Sequence, residues 1–393
     1  MRILLVQPTY YRPFCGIRDV VVKLVDKMLH ANKIYVAATK TDFNHGTNAA
    51  NAISMLQINL WDHTGILTVL YYVKTHKIDV VDIQYAIEGY SNRNAAICRL
   101  PAMLRELGVG CVVSVHELGP PKWHPRLPHV LNLPYGAFYT RALLKHADVV
   151  VVHANWIPEW LKTHWSARLF GLSACCQPRL VLLPPTLDVA TTQNDCSDNS
   201  VENGLIVCFG FIAPKRDCAT VIRAVAKLRG KGWRLVFAGA ILEQHLEYRN
   251  RMNALAKKRG VAVEWTGGLD DQSLFRWVQK AQVNVISQRM RAIFQKGGVD
   301  FNSSSLMNVS YAGRPIVAPD GPFVPIKIRE RVVLYTPGSP SSLAGAITRA
   351  GGQEENALAD KARALAKLFT LEEYVDGMSR AYEDAIKKSA CKN

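Results

Sequence analysis

The 393-residue chain has no run of 18 apolar residues, so no membrane-spanning helix is expected. Its nine cysteines are odd in number and scattered, with no C-x-x-C pair. That disfavours a disulfide scaffold and a zinc site, and points to a reducing, cytoplasmic setting. The adjacent Cys175 and Cys176 read as buried thiols. Acidic side chains are scarce: 32 Asp and Glu stand against 48 Lys and Arg, a formal charge of +16. The excess is spread along the chain rather than gathered in a tail. Such a balance suits a polyanionic partner, whether a nucleotide, an anionic membrane or a nucleic acid, and does not choose among them. The sequence also lacks a catalytic triad, a metal-ligand cluster, a Walker A loop and a short-period repeat. The opening MRILLVQP is too short an apolar stretch for a signal peptide and reads as a first strand.

What is present is an ordinary globular mix, 49% hydrophobic and 20% charged, long enough for two domains of roughly 180 residues each. In the first half, apolar runs at 3–6, 33–39, 79–85, 111–117 and 148–154 alternate with helical patterns, and a last run at 179–185 follows. After a polar, Asn- and Ser-rich stretch the alternation restarts at GLIVCFGF (204–211) and continues through RLVFAGA, VAVEWTGG, VNVIS and VVLYTPG. Strands alternating with helices predict parallel, doubly wound sheets. The expected division is residues 1–188, a linker at 189–203, residues 204–370, and an amphipathic terminal helix at 371–389.

The stretch DFNSSSLMNVSYAGRPIVAPD (300–320) sets four small polar residues, Asn302, Ser303, Ser304 and Ser305, before a helical run. The first amides of a helix lack intrahelical partners and carry roughly half a positive charge, so anions settle there. Ser and Asn are also the preferred N-caps, and a cap and a phosphate site can coexist. Cations come from Lys215 and Arg216 in the loop after the GFIAP strand. An Arg forks onto two phosphate oxygens, which a Lys does not. Gly210 and Gly239 end strands where backbone must turn or approach a neighbour closely.

Five segments of the second half, in order, resemble the nucleotide-sugar-binding domain of GT-B glycosyltransferases, best the large retaining family with an E-x7-E signature. They are GFIAPKRDCATVIRAVAKL, RLVFAGA, VEWTGGLDDQSLFRWVQKAQVNVIS, SYAGRPIVAPD and LYTPGSPSSLAGAI. In the first half, MRILLVQPTYYRPFCGIRDVVVKL, CVVSVHELG and LLPPTLD are similar to the family more loosely. The signature reads D-x7-N here, with Asp300 and Asn308 in the two acidic positions. N-S-S-S stands where a variant of bacterial polysaccharide glycosyltransferases has N-S-G-S. The resemblance implies an α/β GT-B architecture: two Rossmann-like parallel-sheet domains and a C-terminal helix crossing back to the first. It implies a metal-independent hexosyltransferase of the retaining class, with no cofactor beyond its nucleotide-diphosphate-sugar donor.

The resemblance places Gly16, Gly210, Lys215, Arg216, Ser303, Ser304 and Ser305 at the donor diphosphate. It places Asp300, Asn302, Asn308 and Gly239 at the ribose or sugar, and His116 near the transferred sugar. The family's Arg after the strand glycine is Phe211 here; Arg289, Arg291 or Lys296 could replace it. In retaining transfer the leaving phosphate takes the acceptor proton. In inverting transfer a carboxylate must, and Glu117 and then Asp19 are the candidates. Domain closure about the linker is expected to expel water. The stretch NWIPEWLKTHWSARLF (155–170) carries Trp156, Trp160, Trp165 and Phe170 with Lys162, His164 and Arg168 between them. It fits either a peripheral contact with an anionic membrane or a buried aromatic cluster. The expected acceptor is a carbohydrate, lipid-linked, in bacterial surface polysaccharide synthesis, at the inner face of the plasma membrane. Rival readings are a sugar-nucleotide epimerase on the same fold, a non-catalytic nucleotide-sugar-binding subunit, and a nucleic-acid-binding protein. Against the last, the basic residues are dispersed and no nucleic-acid-reading module is evident.

Overall fold

The structure is a computed structural model that describes residues 1–8, 16–39, 53–86, 90, 95–116, 139–153, 168, 171, 177–184, 200–214, 216–230, 232–288, 304–321, 324 and 326–391. These divide into two compact units. One comprises Met1–Leu183 with Leu371–Asn393; the other comprises Pro184–Lys296 with Ser303–Thr370. The boundary falls between Leu183 and Pro184, ahead of the expected 188, and the second unit's first strand begins at Glu202, inside the stretch expected to be linker. Residues 185–199 lie outside the described ones.

The first unit is a seven-stranded sheet. Its strands are β1 (Arg2–Val6), β2 (Lys33–Thr39), β3 (Ser54–Ile58), β4 (Val80–Tyr85), β5 (Gly110–Val115), β6 (Val149–Val152) and β7 (Arg179–Leu180), in the order β3-β2-β1-β4-β5-β6-β7. Every pairing is parallel, with Leu4 opposite Val81, Gln84 opposite Ser114 and Val115 opposite Val152. Residues of β4, β5 and β6 are buried throughout, as expected when helices cover both faces, and this is why the strands read as apolar runs. Helices α1 (Gly16–Met28), α2 (His63–Thr75) and α3 (Leu100–Glu106) supply crossovers. Asp62 caps α2 by accepting from the Gly65 amide at 2.9 Å.

The second unit repeats the plan with six strands: β8 (Glu202–Phe209), β9 (Arg234–Ala238), β10 (Val263–Trp265), β11 (Ala281–Val285), β12 (Ile316–Pro319) and β13 (Val333–Tyr335), in the order β10-β9-β8-β11-β12-β13, again all parallel. Its helices are α4 (Cys218–Lys227), α5 (Leu246–Arg259), α6 (Asp271–Lys280), α7 (Ser304–Ser310), α8 (Pro340–Ala350) and α9 (Glu355–Ala366). Asp217, Asp270 and Ser339 cap α4, α6 and α8 through side-chain oxygens that accept backbone N–H bonds. Pro340 at the first turn of α8 supplies a pre-set φ and no stranded donor.

The terminal helix α10 (Leu371–Ala390) belongs to the first unit. Tyr374, Met378, Ala381, Tyr382 and Ala385 form a buried stripe at helical spacing. The helix lies so close to β5 that a Cβ on Gly110 would stand 3.0 Å from the Ala385 carbonyl carbon and the Ile386 nitrogen. Lys388 donates to the Asp148 carbonyl at 3.0 Å, and Arg179 pairs with Asp384. Burying each large side chain of the stripe contributes about 1.5–3 kcal/mol, so α10 is an integral layer of this unit.

Candidate active site

In the second unit three residues expected from the sequence converge. Gly210 follows β8 with φ of +111°, a conformation that L side chains rarely adopt. A Cβ there would stand 2.6 Å from Arg216 Nη2 and 2.8 Å from Ser305 Oγ. The missing side chain therefore leaves the space in which guanidinium and hydroxyl meet, Nη2 donating to Oγ at 2.8 Å. Nη1 reaches the Ser287 carbonyl at 3.5 Å, at the end of β11. The Arg216 backbone is held as firmly: its amide donates to Ala213 at 2.8 Å and its carbonyl accepts the Tyr248 hydroxyl at 2.6 Å. Burial lowers the Arg216 pKa, which the neighbouring Cys218, Cys208 and Tyr335 partly offset. Among the described residues no carboxylate forms an ion pair with it. Arg216 also lines an open pocket of ≈ 470 Å³ with Asp217, Thr220, Arg223, Tyr248 and Arg251.

Ser305, 2% exposed, and Ser304 open the seven-residue α7, and Asn308 on the same helix is 1% exposed. Gly239, expected at the ribose or sugar, has a local structural reason for being glycine. Its φ is +151°, and a Cβ would stand 2.5 Å from the Gly210 carbonyl oxygen. Lys215, Ser303, Asp300, Asn302, Arg289, Arg291 and Lys296 lie outside the described residues.

In the first unit, Gly16 begins α1 and Asp19 lies in its first turn. His116 follows β5, with its amide bound to the Tyr85 carbonyl at 2.9 Å and its Nε2 2.7 Å from Gln84 Oε1. Glu117 lies outside the described residues, as do Trp156, Trp160, Lys162 and Trp165; Arg168 is exposed.

Around His116 stand polar residues that the sequence reading did not single out. Asp82 and Gln84 share one face of β4, and Ser114 stands opposite Gln84 on β5. The fully buried Asp82 accepts from Ser114 at 2.8 Å, Gln84 at 2.7 Å and Tyr382 at 2.8 Å. Burial raises its pKa to about 6 even though all three hydrogen bonds oppose the rise. His153, after β6, lies with its ring centroid 4.7 Å from that of His116, and its Nδ1 is 2.8 Å from the Val181 carbonyl. Burial brings the His153 pKa down to about 4. Burial first, and His153 second, hold His116 well below the usual histidine range. His153 Nε2 and both amide atoms of Gln7, after β1, are buried without a hydrogen-bond partner among the described residues. An acidic residue within an otherwise apolar run, DVVDIQY, was the available signal.

Among the described residues no group of three or more His, Cys, Asp or Glu side chains could hold a metal ion, and no helix is long and apolar enough to cross a membrane.

Residues 203–353 match the family model described as Glycosyl transferases group 1. The match runs from β8 to just past α8. No curated protein gives a match. Solved structures align over nearly the whole chain. The sucrose-phosphate synthase of Thermosynechococcus elongatus has a TM-score of 0.72 at 17% identity, covering 97% of this chain and 98% of that one. Anabaena HepE in complex with UDP and glucose has a TM-score of 0.66 at 13% identity, with coverage of 97% and 98%. An α,α-trehalose-phosphate synthase (UDP-forming) from Burkholderia vietnamiensis has 0.66 at 10%, with coverage of 98% and 97%. At such identities the likeness speaks for the fold, and the fold is GT-B. Gly210, Arg216 and Ser305 all lie within the matched residues.

Proposed function

We propose that the protein moves a hexose from a nucleoside diphosphate sugar to a carbohydrate acceptor, retaining the anomeric configuration and using no metal. The observation that carries this is the contact of Arg216 with Ser305 in the space left by Gly210. A guanidinium with no ion-pair partner among the described residues, beside the first amides of α7, presents fixed positive charge where a leaving diphosphate gains negative charge. The C1–O bond to the diphosphate breaks as the acceptor oxygen bonds to C1, and the acceptor's proton passes to the departing phosphate. The first unit is assigned the acceptor, with His116 among its contacts. The acceptor is read as lipid-linked, in bacterial surface polysaccharide synthesis, reached through the Trp156–Trp165 stretch at an anionic inner leaflet.

UDP is the first probe, because structures of Anabaena HepE contain UDP or UDP-glucose. UDP is expected to raise the melting temperature of the wild type. Arg216→Ala removes charge-assisted bonds of about 1.5–3 kcal/mol and should weaken UDP about 10- to 100-fold. Equal UDP affinity in wild type and Arg216→Ala would sink the assignment. Turnover of a nucleotide sugar to a new sugar with no acceptor present would replace transfer by epimerisation. Loss of activity in EDTA would remove metal independence, and failure to sediment with anionic vesicles would remove the membrane contact.

A further inference from the structure

We propose that Asp82, Gln84 and Tyr382 are positioning residues that fix His116 as the Nε2–H tautomer, so that its bare Nδ1 offers a hydrogen-bond acceptor to a carbohydrate hydroxyl. The proposal rests on reading the first unit as the acceptor-binding one.

The direction of every bond follows from what each group can donate. An ionised carboxylate only accepts. Asp82 takes the Ser114 hydroxyl on Oδ1, and the Tyr382 hydroxyl and Gln84 Nε2 on Oδ2. An amide nitrogen committed to Asp82 turns the amide oxygen of Gln84 the other way, and that oxygen is the atom 2.7 Å from His116 Nε2. Because Oε1 has no hydrogen to give, Nε2 must carry the proton. The ring is neutral in its buried setting, so Nδ1 is left with a free lone pair. It has no hydrogen-bond partner among the described residues. The adjacent His153 shows the opposite assignment by the same logic. A backbone carbonyl only accepts, so the contact with Val181 places the proton on Nδ1 and leaves Nε2 bare.

The arrangement runs from the terminal helix to the end of β5. Tyr382 on α10 holds Asp82, Asp82 orients Gln84, and Gln84 sets the ring of His116. Tyr90 and Tyr374 are the other ionisable groups whose pKa values register the Asp82 charge, and both stay protonated because burial and that charge push them up. Burying Asp82, Gln84, Ser114 and Tyr382 against an apolar sheet is unfavourable unless each finds a partner. Here the partners form one chain that ends on a half-buried ring with a single unused nitrogen.

The test is long-range 1H–15N correlation on the full chain labelled with 15N-histidine at neutral pH, with the His116 signals identified by their loss in His116→Gln. The expected spectrum shows a protonated Nε2 and a bare Nδ1. In Gln84→Met the pattern should become a mixture of tautomers, and Tyr382→Phe should move it part of the way. Loss of one acceptor-side hydrogen bond in Gln84→Met should raise KM for the carbohydrate acceptor about five- to tenfold, with UDP binding unchanged. A wild-type His116 protonated on Nδ1, or present as a mixture, overturns the proposal, and so does a tautomer unaffected by Gln84→Met. Should Gln84→Met not fold, the wild-type spectrum alone decides. The spectrum needs no substrate, so its failure leaves glycosyl transfer standing. Lost UDP binding would instead count against the functional reading while the tautomer stood.

Discussion

Gly210→Ala is the most direct challenge to the proposed diphosphate site, because two separate effects fall on one methyl group. The first is backbone strain. A φ of +111° lies outside the regions open to alanine, and holding it there costs about 1–3 kcal/mol. The second is steric. The new Cβ would stand 2.6 Å from Arg216 Nη2 and 2.8 Å from Ser305 Oγ, distances that carbon does not sustain against either atom. The guanidinium is the far end of a flexible side chain and can move, whereas Ser305 is buried in α7. The chain therefore relieves the clash by swinging Arg216 away and losing its 2.8 Å bond. At roughly 2–4 °C per kcal/mol for a domain of this size, the strain should lower the melting temperature by several degrees. The displaced guanidinium should cost UDP affinity about as much as Arg216→Ala does. Differential scanning fluorimetry with and without UDP reads both quantities in one experiment. The double variant Gly210→Ala/Arg216→Ala should bind UDP no worse than either single variant, since both act on the same group. A Gly210→Ala protein that melts with the wild type and keeps its UDP shift would refute the reasoning. So would losses in the two single variants that simply add.

Across pH 4 to 6.5 the titrations of Asp82 and His153 in the first unit act on stability with opposite signs. Asp82 keeps its proton up to about 6 when folded and only to 3.8 when unfolded, so it removes of the order of 3 kcal/mol as pH rises through that window. His153, at about 4 folded against 6.5 unfolded, returns a similar amount over its own window. Asp82→Asn should therefore steepen the gain of stability with rising pH and His153→Gln should flatten it, read from melting temperatures at half-unit intervals. Equal slopes in the two variants would count against both environments. Tyr382→Phe removes one bond to the Asp82 carboxylate and should destabilise the protein by about 1.5–3 kcal/mol near neutral pH. That loss should shrink at pH 4, where Asp82 is protonated, and a pH-independent loss would mean that the carboxylate is not what Tyr382 holds.

The parallel sheets were legible because strands buried on both faces must be continuously apolar, and DVVVVHA, GLIVCFGF and RLVFAGA could be little else. Strand β3 was not legible. It lies at the sheet edge and alternates exposed, half-buried and buried residues, so SMLQI has no apolar run to betray it. The meeting of Arg216 with Ser305 spans 89 residues and was accessible only because two family-like segments fix both ends. Nothing comparable marks the bond between Asp82 and Tyr382, which spans 300 residues. In DVVDIQY the apolar majority hid two inward-facing polar residues. A carboxylate amid valines is costly enough that its presence demands partners, and the sequence does not name them.

The second sheet runs in the order 3-2-1-4-5-6 and the first in the same order with a seventh strand beyond, and in such sheets ligands sit outside the carboxyl ends of the strands where the order reverses. In the second unit that point lies between β8 and β11, and the residues beyond it are Gly210, where an added Cβ would meet the Arg216 guanidinium, and Ser287, whose carbonyl that guanidinium reaches. In the first unit it lies between β1 and β4, where Gln7 follows one strand and Gln84 is the last residue but one of the other, with His116 and His153 further along. The two ends differ in charge. One offers a fixed cation. The other offers two amides and two imidazoles kept neutral by burial, above a carboxylate that burial has already made reluctant to ionise. An anion brought to the second would meet no cation among these groups and would lie close to Asp82, whereas a neutral hydroxyl-bearing ligand can pair with Gln7 and with the bare nitrogens. The electrostatics within each unit taken alone thus favour the proposed division of labour between diphosphate and carbohydrate. Gln7→Leu tests it separately from every arginine variant. It should weaken the carbohydrate acceptor while UDP binding stays at the wild-type value, and a loss of UDP binding in its place would mean that the neutral row does not serve the acceptor.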